Sequence, residues 1–224
     1  MKYKHIVWDW NGTLLDDRWL CIESINHILK SRKMALVSNE KYRNLFCFPV
    51  IKYYEKLGFD FTIEHFPIPE FLEYYKNGFE KCNLHNDAEF VLRRIKELGF
   101  TQSILSAGKQ NSLIRWVKHH KIEKMFSHLI GIDNEKADGK IEAGINWLKN
   151  SDFSYEHILL IGDTIHDSEV SKAMGVECIL IDIGHVSTYR LKKTGHKVFP
   201  SLKSVLEYLT IEDQIKNPHF NEGF

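Results

Sequence analysis

Residues 6–14 read IVWDWNGTL, and this stretch decides the fold. Its apolar run ends abruptly at Asp9, and a turn that contains Gly12 follows. A short, continuous apolar run of this kind is typical of a strand that is buried on both faces, as in a parallel sheet. Because ligands of open α/β sheets bind outside the carboxyl ends of the strands, Asp9 is a candidate for a functional site.

The same pattern recurs four times along the chain. The further apolar runs that end at a polar residue or a glycine cover residues 103–105, 129–132, 158–161 and 178–181. Stretches with helical periodicity separate them, at residues 88–98, 112–120, 141–148 and 168–174. Alternating strands and helices predict an α/β fold, a Rossmann-like open parallel sheet with right-handed crossovers.

One long segment interrupts the alternation. Its helical patterns, with no strand pattern among them, cover residues 20–29, 41–46, 50–57 and 69–82. We predict an inserted all-helical cap domain at residues 16–85 (the cap), between the two parts of a core domain at residues 1–15 and 86–209. An elaborate crossover packed on the sheet is the alternative. Residues 210–224 are predicted to form a polar tail.

Composition argues against some classes of partner. Thirty basic and thirty acidic residues give the chain a formal net charge of zero, so no long-range field attracts nucleic acid or an anionic membrane. The four cysteines form no CxxC pair and are predicted to be reduced thiols. No apolar run approaches the length of a signal peptide or a membrane helix. We therefore expect a cytoplasmic protein, a monomer or weak homodimer, with neither nucleic acid nor a membrane as its partner.

Three side chains near the predicted strand ends suit phosphate chemistry. Asp9 can act as a covalent nucleophile, as carboxylates do in aspartyl-phosphate chemistry, or can simply cap a turn. Ser106 can donate a hydrogen bond to a phosphate oxygen, although Ser-Ala-Gly is also an ordinary turn. Lys140 lies just before a predicted helix, where its ammonium suits a phosphoryl oxygen. Lys136 in the same loop is the alternative to Lys140.

Two further carboxylates suit a metal ion. Asp163 follows the apolar run at residues 158–161, and Asp167 comes four residues later, in the predicted first turn of a helix. Carboxylates at this spacing can converge on a hard cation, and Mg²⁺ prefers a few carboxylates together with water and substrate phosphate. Capping of the helix N-terminus is the alternative explanation for these residues.

Taken together, these motifs resemble a known superfamily. Four elements are similar to motifs one to four of the haloacid dehalogenase superfamily: residues 9–13, Ser106, Lys140 and residues 162–167. The resemblance covers roughly residues 1–209 and includes a helical insert where this superfamily carries its first type of cap. The phosphoglycolate phosphatase branch is most similar, through the cap run at residues 42–58. The resemblance implies a Mg²⁺-dependent phosphatase of a small phosphate monoester, a phosphoglycolate-like metabolite, with an aspartyl-phosphate intermediate.

The resemblance also assigns roles to single residues. Asp9 becomes the nucleophile, and Thr13 braces its loop. The implied metal ligands are Asp9, the backbone carbonyl of Asn11, Asp163 and Asp167. The implied phosphate-binding residues are Gly12, Ser106, Ala107 and Lys140. On the cap, Arg43 and Lys52 are candidates for binding a second anionic group of the substrate, although both also suit an ordinary helix surface.

Asn11 departs from the superfamily pattern. Phosphatases of this superfamily usually carry Asp at this position, where it protonates the leaving alcohol and then activates water. An amide can hydrogen-bond but cannot exchange a proton near neutral pH, and proton transfer by a placed side chain contributes roughly 10²–10⁴-fold. His166 and His185 are candidate substitutes, because imidazole titrates near neutral pH, although each also suits an ordinary loop.

This departure keeps other functions open. A low-turnover phospho-ligand-binding or regulatory protein and a phosphotransferase are both compatible with Asn11. A phosphonatase needs a Schiff-base lysine from the cap, and the candidates are Lys30, Lys33, Lys52 and Lys56. A metal-free dehalogenase is disfavoured because Asp163 and Asp167 are both present.

Overall fold

A computed structural model describes residues 2–216. Its strands are β1 (His5–Trp8), β2 (Leu15–Asp16), β3 (Asn83–Leu84), β4 (Thr101–Lys109), β5 (His128–Ile132), β6 (Ile158–Gly162), β7 (Glu177–Ile181) and β8 (Lys197–Phe199). Six of them form one sheet in the order β5-β4-β1-β6-β7-β8, and every neighbouring pair in it is parallel. β2 and β3 form a separate antiparallel ribbon.

Helices cover both faces of the sheet and make up most of the cap. They are α1 (Arg18–Ser31), α2 (Asn39–Leu45), α3 (Val50–Lys56), α4 (Pro69–Gly78), α5 (Ala88–Glu97), α6 (Gln110–His119), α7 (Lys140–Lys149), α8 (Ile165–Met174), α9 (Thr188–Lys192) and α10 (Leu202–Lys216). Among residues 2–216, no helix is both long enough and apolar enough to span a bilayer.

The strands are continuous apolar runs because both faces of the sheet are covered. Along β1, Ile6 and Trp8 point into one hydrophobic cluster and Val7 points into the other, and all three are fully buried. β6 alternates between the same two clusters. With a side-chain period of two and apolar cover on both faces, polar residues are concentrated where the strands end. The carboxyl edge of the sheet therefore collects them.

The predicted α/β fold with a parallel sheet is confirmed, and each predicted apolar run forms a strand. The sequence patterns do not predict β8 or α9, because elements of three and five residues are too short to show a period. α10 continues past Leu209 to Lys216, so the polar tail predicted from residue 210 begins inside a helix. The rest of the predicted tail, residues 217–224, lies outside the described residues.

The cap helices α1 to α4 share a hydrophobic cluster of their own. Its buried members are Ile25, Ile28, Leu29, Val37, Tyr42, Tyr53, Tyr54, Phe59 and Ile68. The ribbon of β2 and β3 pairs Leu15 with Leu84 and Asp16 with Asn83, so the chain enters and leaves the cap side by side. The sequence analysis does not predict this ribbon, since a two-residue strand has no visible pattern.

Candidate active site

Three acidic side chains converge at the carboxyl edge of the sheet. Asp9 follows β1, Asp163 follows the neighbouring strand β6, and Asp167 lies in the first turn of α8. One carboxylate oxygen of each lies within 4.8 Å of the others. All three residues are buried, with Asp9 at 6% the most exposed. The pairing of β1 with β6 explains the convergence, because it brings the ends of two distant segments together.

Lys140 connects two of these carboxylates. It is the first residue of α7, is 2% exposed, and donates hydrogen bonds to Asp9 and to Asp167 Oδ1, the latter at 2.6 Å. Burial alone would lower the pKa of Lys140, but the charges of Asp167 and Asp9 outweigh it and raise the pKa above its usual value. The same contacts lower the pKa of Asp167 against the effect of its burial. The alternative, Lys136, is exposed.

Three glycines allow the backbone to pack directly against the carboxylates. A Cβ atom at Gly162 would lie 2.2 Å from Asp167 Cγ, and one at Gly184 would lie 2.0 Å from Asp163 Oδ2. At Gly12, whose φ is +80°, a Cβ would lie 2.5 Å from the same Asp163 oxygen. Any larger residue would therefore displace a carboxylate. Gly12 belongs to the first motif and is predictable from the sequence, whereas Gly184 is distant from the four motifs in the chain and is not.

Neighbouring groups fix the orientation of each carboxylate. Thr13 Oγ1 lies 3.1 Å from Asp9 Oδ2 and 2.9 Å from Asp163 Oδ1. Thr13 thus contacts the carboxylates of both residues, the position expected of a residue that braces the first loop. The backbone N–H of His185 donates to Asp163 Oδ2 at 2.6 Å. Thr164 and Asp167 form a reciprocal capping box at the start of α8, so Asp167 also caps its helix, as the alternative explanation holds.

A cavity of about 990 Å³ opens beside this cluster. On the core side, its lining includes Asp9, Asn11, Ala107 and Lys140, and on the other side half of the lining residues that the cap contributes are aromatic. Ser106 is fully buried, and its hydroxyl oxygen accepts a hydrogen bond from the Gly108 N–H at 2.9 Å. Residues from the first, third and fourth motifs thus line one cavity, and Ser106 of the second motif lies buried next to its lining residue Ala107.

The sequence profile described as haloacid dehalogenase-like hydrolase matches residues 6–181. The chain belongs to this family. The recognition made from the motifs is thereby confirmed, and the protein is a hydrolase of this family. Among curated proteins the hydrolase is similar to PpaX of Caldanaerobacter subterraneus, whose name proposes pyrophosphatase activity. The two are 22% identical over 197 residues, which cover 86% of this chain and 88% of PpaX.

Solved structures show the same fold. The hydrolase superposes on a haloacid dehalogenase-like hydrolase of Streptococcus pneumoniae with a TM-score of 0.78 at 18% identity, covering 93% of this chain and 99% of that one. For a predicted phosphoglycolate phosphatase of Haemophilus somnus the TM-score is 0.69 at 15% identity, with coverage of 93% and 99%. At such identities the likeness establishes the fold.

The acidic cluster of the hydrolase suits a divalent cation. Burial raises the pKa of Asp9 well above its usual range; Lys140 opposes this effect, and Asp167 and Asp163 add to it. Burial also raises the pKa of Asp163. Three buried carboxylates therefore face one ammonium, and their hard oxygen atoms, held in a cradle that a Cβ would fill, are the ligands that Mg²⁺ prefers.

Asn11 belongs to a buried hydrogen-bond network that the sequence analysis misses. Its Nδ2 donates to Asp17 Oδ2 at 2.8 Å and to the Tyr75 hydroxyl at 3.0 Å. The Tyr75 hydroxyl in turn donates to Asp17 at 2.7 Å. His185 lies with Nε2 3.2 Å from Asp17 Oδ1 and Nδ1 2.9 Å from the Tyr42 hydroxyl. The one sequence signal for Asp17 is its position in the acidic pair that follows the first loop.

Charge pairing stabilises this network. Burial alone would lower the pKa of His185, but the charge of Asp17 and its hydrogen bond raise it to about 8. The reciprocal effect of His185 lowers the pKa of Asp17 against its burial. Near neutral pH the two form a buried ion pair beside Asn11. His166, the other candidate substitute, contacts Glu169 at 3.0 Å and stacks on Phe48.

The roles predicted for Arg43 and Lys52 are not supported by their positions. Arg43 donates to the backbone carbonyls of Asp182 and, at 2.9 Å, Val186, so its guanidinium joins α2 to the loop after β7. Lys52 lies on the outer surface of α3, 61% exposed, and pairs with Glu55 at 3.0 Å. Neither residue lines the cavity. A residue on a helix surface can point toward the cavity or away from it, and the packing of the cap helices points these two side chains away from it.

Proposed function

We propose that this hydrolase is a Mg²⁺-dependent phosphatase that acts on a small phosphate monoester through a covalent intermediate on Asp9. The observation that carries the proposal is the contact of the Lys140 ammonium with both Asp9 and Asp167, beside Asp163 and at the end of a cavity. A carboxylate oxygen of Asp9 attacks phosphorus, the ester P–O bond breaks, and the leaving alkoxide takes a proton from solvent water. Water then attacks the aspartyl phosphate and releases inorganic phosphate, which restores the Asp9 carboxylate.

The protein side chains supply positioning and charge. Lys140 places a fixed positive charge where negative charge develops on the phosphoryl oxygens, and it opposes the rise in the pKa of Asp9 that burial causes. Ser106 is fully buried and its oxygen accepts from the Gly108 N–H, so its hydroxyl hydrogen would be the part of it that could donate to a phosphate oxygen. Asp9, Asp163, Asp167 and the Asn11 carbonyl would hold Mg²⁺. A bound Mg²⁺ neutralises charge on the phosphoryl group and helps to orient it.

A screen for release of inorganic phosphate tests the proposal. The panel includes phosphoglycolate, because of the sequence resemblance, and pyrophosphate, because of the name of PpaX. No release from any compound by folded, Mg²⁺-loaded protein would contradict the proposal and favour the phospho-ligand-binding alternative. For the phosphonatase alternative, none of the candidates Lys30, Lys33, Lys52 and Lys56 lines the cavity, whereas Lys76 of the cap does.

Mg²⁺ is expected to be required for turnover and to stabilise the fold. Chelator should abolish phosphate release, and Mg²⁺ at 100 times its Kd should raise the melting temperature by about 5–10 °C, because a ligand that binds only the folded state stabilises it. Asp163→Asn removes a charged ligand and should reduce this rise to near zero. Asp133→Asn, at an exposed strand end outside the cluster, is the matched control and should keep the full rise. Full turnover in chelator would argue for metal-free chemistry.

Asn11→Asp is expected to increase kcat on alkyl phosphates by about 10²-fold, since it supplies a carboxyl group that can exchange protons. The gain should be smaller for p-nitrophenyl phosphate, whose leaving group needs no proton. In the structure Asn11 donates to Asp17, so the new carboxylate would face an existing one and the fold should lose stability.

The double variant Asn11→Asp/Asp17→Asn separates these two effects. It exchanges the amide and the carboxylate, which removes the repulsion between two carboxylates but also removes the Asp17 partner of His185, so it should recover part of the stability lost by the single variant. Thermal unfolding and initial rates measure the two quantities. Rapid turnover of alkyl phosphates by intact Asn11 protein, with no gain in either variant, would show that another group delivers the proton.

A further inference from the structure

The cap side of the cavity is a wall of aromatic rings. Those that line the cavity and keep accessible surface are Phe46, Phe48, Phe66, Phe71 and Tyr75. Buried rings of Tyr53, Tyr54 and Phe79 lie behind or beside them and also contribute to the lining. Aromatic side chains of this kind usually fill a core, so a group of them around a cavity calls for a ligand that covers them.

The rings are held at several different angles. Phe71 and Tyr75 are stacked, with centroids 6.1 Å apart and planes at 12°, whereas Tyr75 meets Trp116 of the core edge-on at 72°. Phe48 stacks on His166 with centroids 4.6 Å apart. The wall therefore presents both faces and edges, which is the arrangement in which a further aromatic ring gains beyond simple burial.

The aromatic wall begins at the catalytic loop. The Tyr75 hydroxyl lies 3.0 Å from Asn11 Nδ2, and Asn11 is two residues after Asp9. The alcohol part of an ester whose phosphorus lies at Asp9 can therefore extend along this wall. The core side of the cavity offers the alcohol a different surface, with polar and cationic residues that include Asn111, Arg115 and Lys136.

An anionic, glycolate-like group does not match the aromatic cap wall of this cavity. The cap cation that lines it is Lys76, an exposed residue with Glu73 in the same lining. Placing a carboxylate against the aromatic wall would desolvate a charge without a partner, which is unfavourable. The volume of about 990 Å³ is also in the range of cavities that hold drug-sized ligands, far more than a two-carbon acid occupies.

We propose that the alcohol part of the substrate carries an aromatic or heteroaromatic ring, which binds against the cap rings Phe48, Phe66, Phe71 and Tyr75 while the phosphate lies at Asp9 and Lys140. This inference rests on the proposed phosphatase function for its chemistry, but it makes a statement about binding that is tested without turnover.

Calorimetric titration of the Mg²⁺-loaded protein with non-hydrolysable phosphonates tests the inference. 2-Phenylethylphosphonate should bind about 10- to 100-fold more tightly than ethylphosphonate, because it buries a ring. It should also bind about 2- to 10-fold more tightly than 2-cyclohexylethylphosphonate, which has similar size but no π-system. Phosphonoacetate, the anionic probe, should bind no more tightly than ethylphosphonate.

Variants locate the preference in the cap wall. Phe71→Leu should reduce the ratio of phenylethyl to ethyl affinity by about threefold or more, since leucine keeps the bulk and loses the ring. Phe48→Leu is the second variant in case the first fails to fold. Phe90→Leu is the matched control, because Phe90 is a half-exposed ring on α5 outside the cavity and its loss should leave the ratio unchanged.

The outcomes distinguish this inference from the phosphatase proposal. Equal affinity for the phenyl and cyclohexyl probes, tighter binding of phosphonoacetate, or no binding of any phosphonate would overturn the aromatic substrate, even if phosphate esters are hydrolysed. A strong phenyl preference that falls in Phe71→Leu or Phe48→Leu supports it, even if no ester in the screen releases phosphate.

Discussion

Asp9→Asn is expected to lower kcat for phosphate monoesters by on the order of 10⁴-fold or more, as loss of a covalent nucleophile does in other hydrolases. The amide is isosteric with the carboxylate but cannot attack phosphorus. Inorganic phosphate release under saturating substrate and Mg²⁺ measures the effect, and Asp133→Asn is the control. Residual activity within tenfold of the unmodified protein would place the chemistry on another residue.

The same variant should retain its fold and gain stability at neutral pH when Mg²⁺ is removed. Burial raises the pKa of Asp9, so the folded state binds a proton more strongly than the unfolded state. That contribution to stability is present at low pH and is lost as the pH rises from about 4, the unfolded value, through the folded pKa. The amide at position 9 does not ionise, so the variant does not lose this folding stability as the pH rises.

Lys140→Met is expected to cost both stability and activity. Methionine matches the stem of the lysine but leaves Asp9 and Asp167 buried without the ammonium that contacts both. Removing one partner of a buried ion pair costs about 3–5 kcal/mol of unfolding free energy, and removing a charge that stabilises the transition state lowers kcat by about 10²–10³-fold. Denaturant unfolding in chelator and initial rates in Mg²⁺ measure the two effects.

Two comparisons sharpen this test. Lys149→Met, at the exposed end of the same helix α7, should change the unfolding free energy by no more than about 0.5 kcal/mol. Mg²⁺ should restore part of the stability lost in Lys140→Met, because it supplies positive charge to the same carboxylates. If Lys140→Met unfolds at the same denaturant concentration as the unmodified protein, the ammonium does not hold the cluster together.

The sequence by itself determined the sheet and the placement of the acidic cluster. Every side chain of a continuous apolar run is buried only if both faces of its strand are covered. Runs that contain residues such as Val7 and Leu160 therefore predict buried parallel strands. A polar residue that ends such a run must then lie at the carboxyl edge. Asp9 and Asp163 were predictable for this reason, since their position depends on local pattern and on strand direction alone.

The tertiary structure alone decided what surrounds that cluster. The network around Asn11 also contains Asp17, Tyr75 and His185, which come from the start of α1, from α4 and from the loop after β7. No period in the sequence relates these segments. Likewise, Arg43 of α2 points toward the loop after β7, whereas aromatic side chains of α3 and α4 line the cavity. The direction of a side chain on a short cap helix follows from how the helix packs, and packing is settled between segments rather than within one.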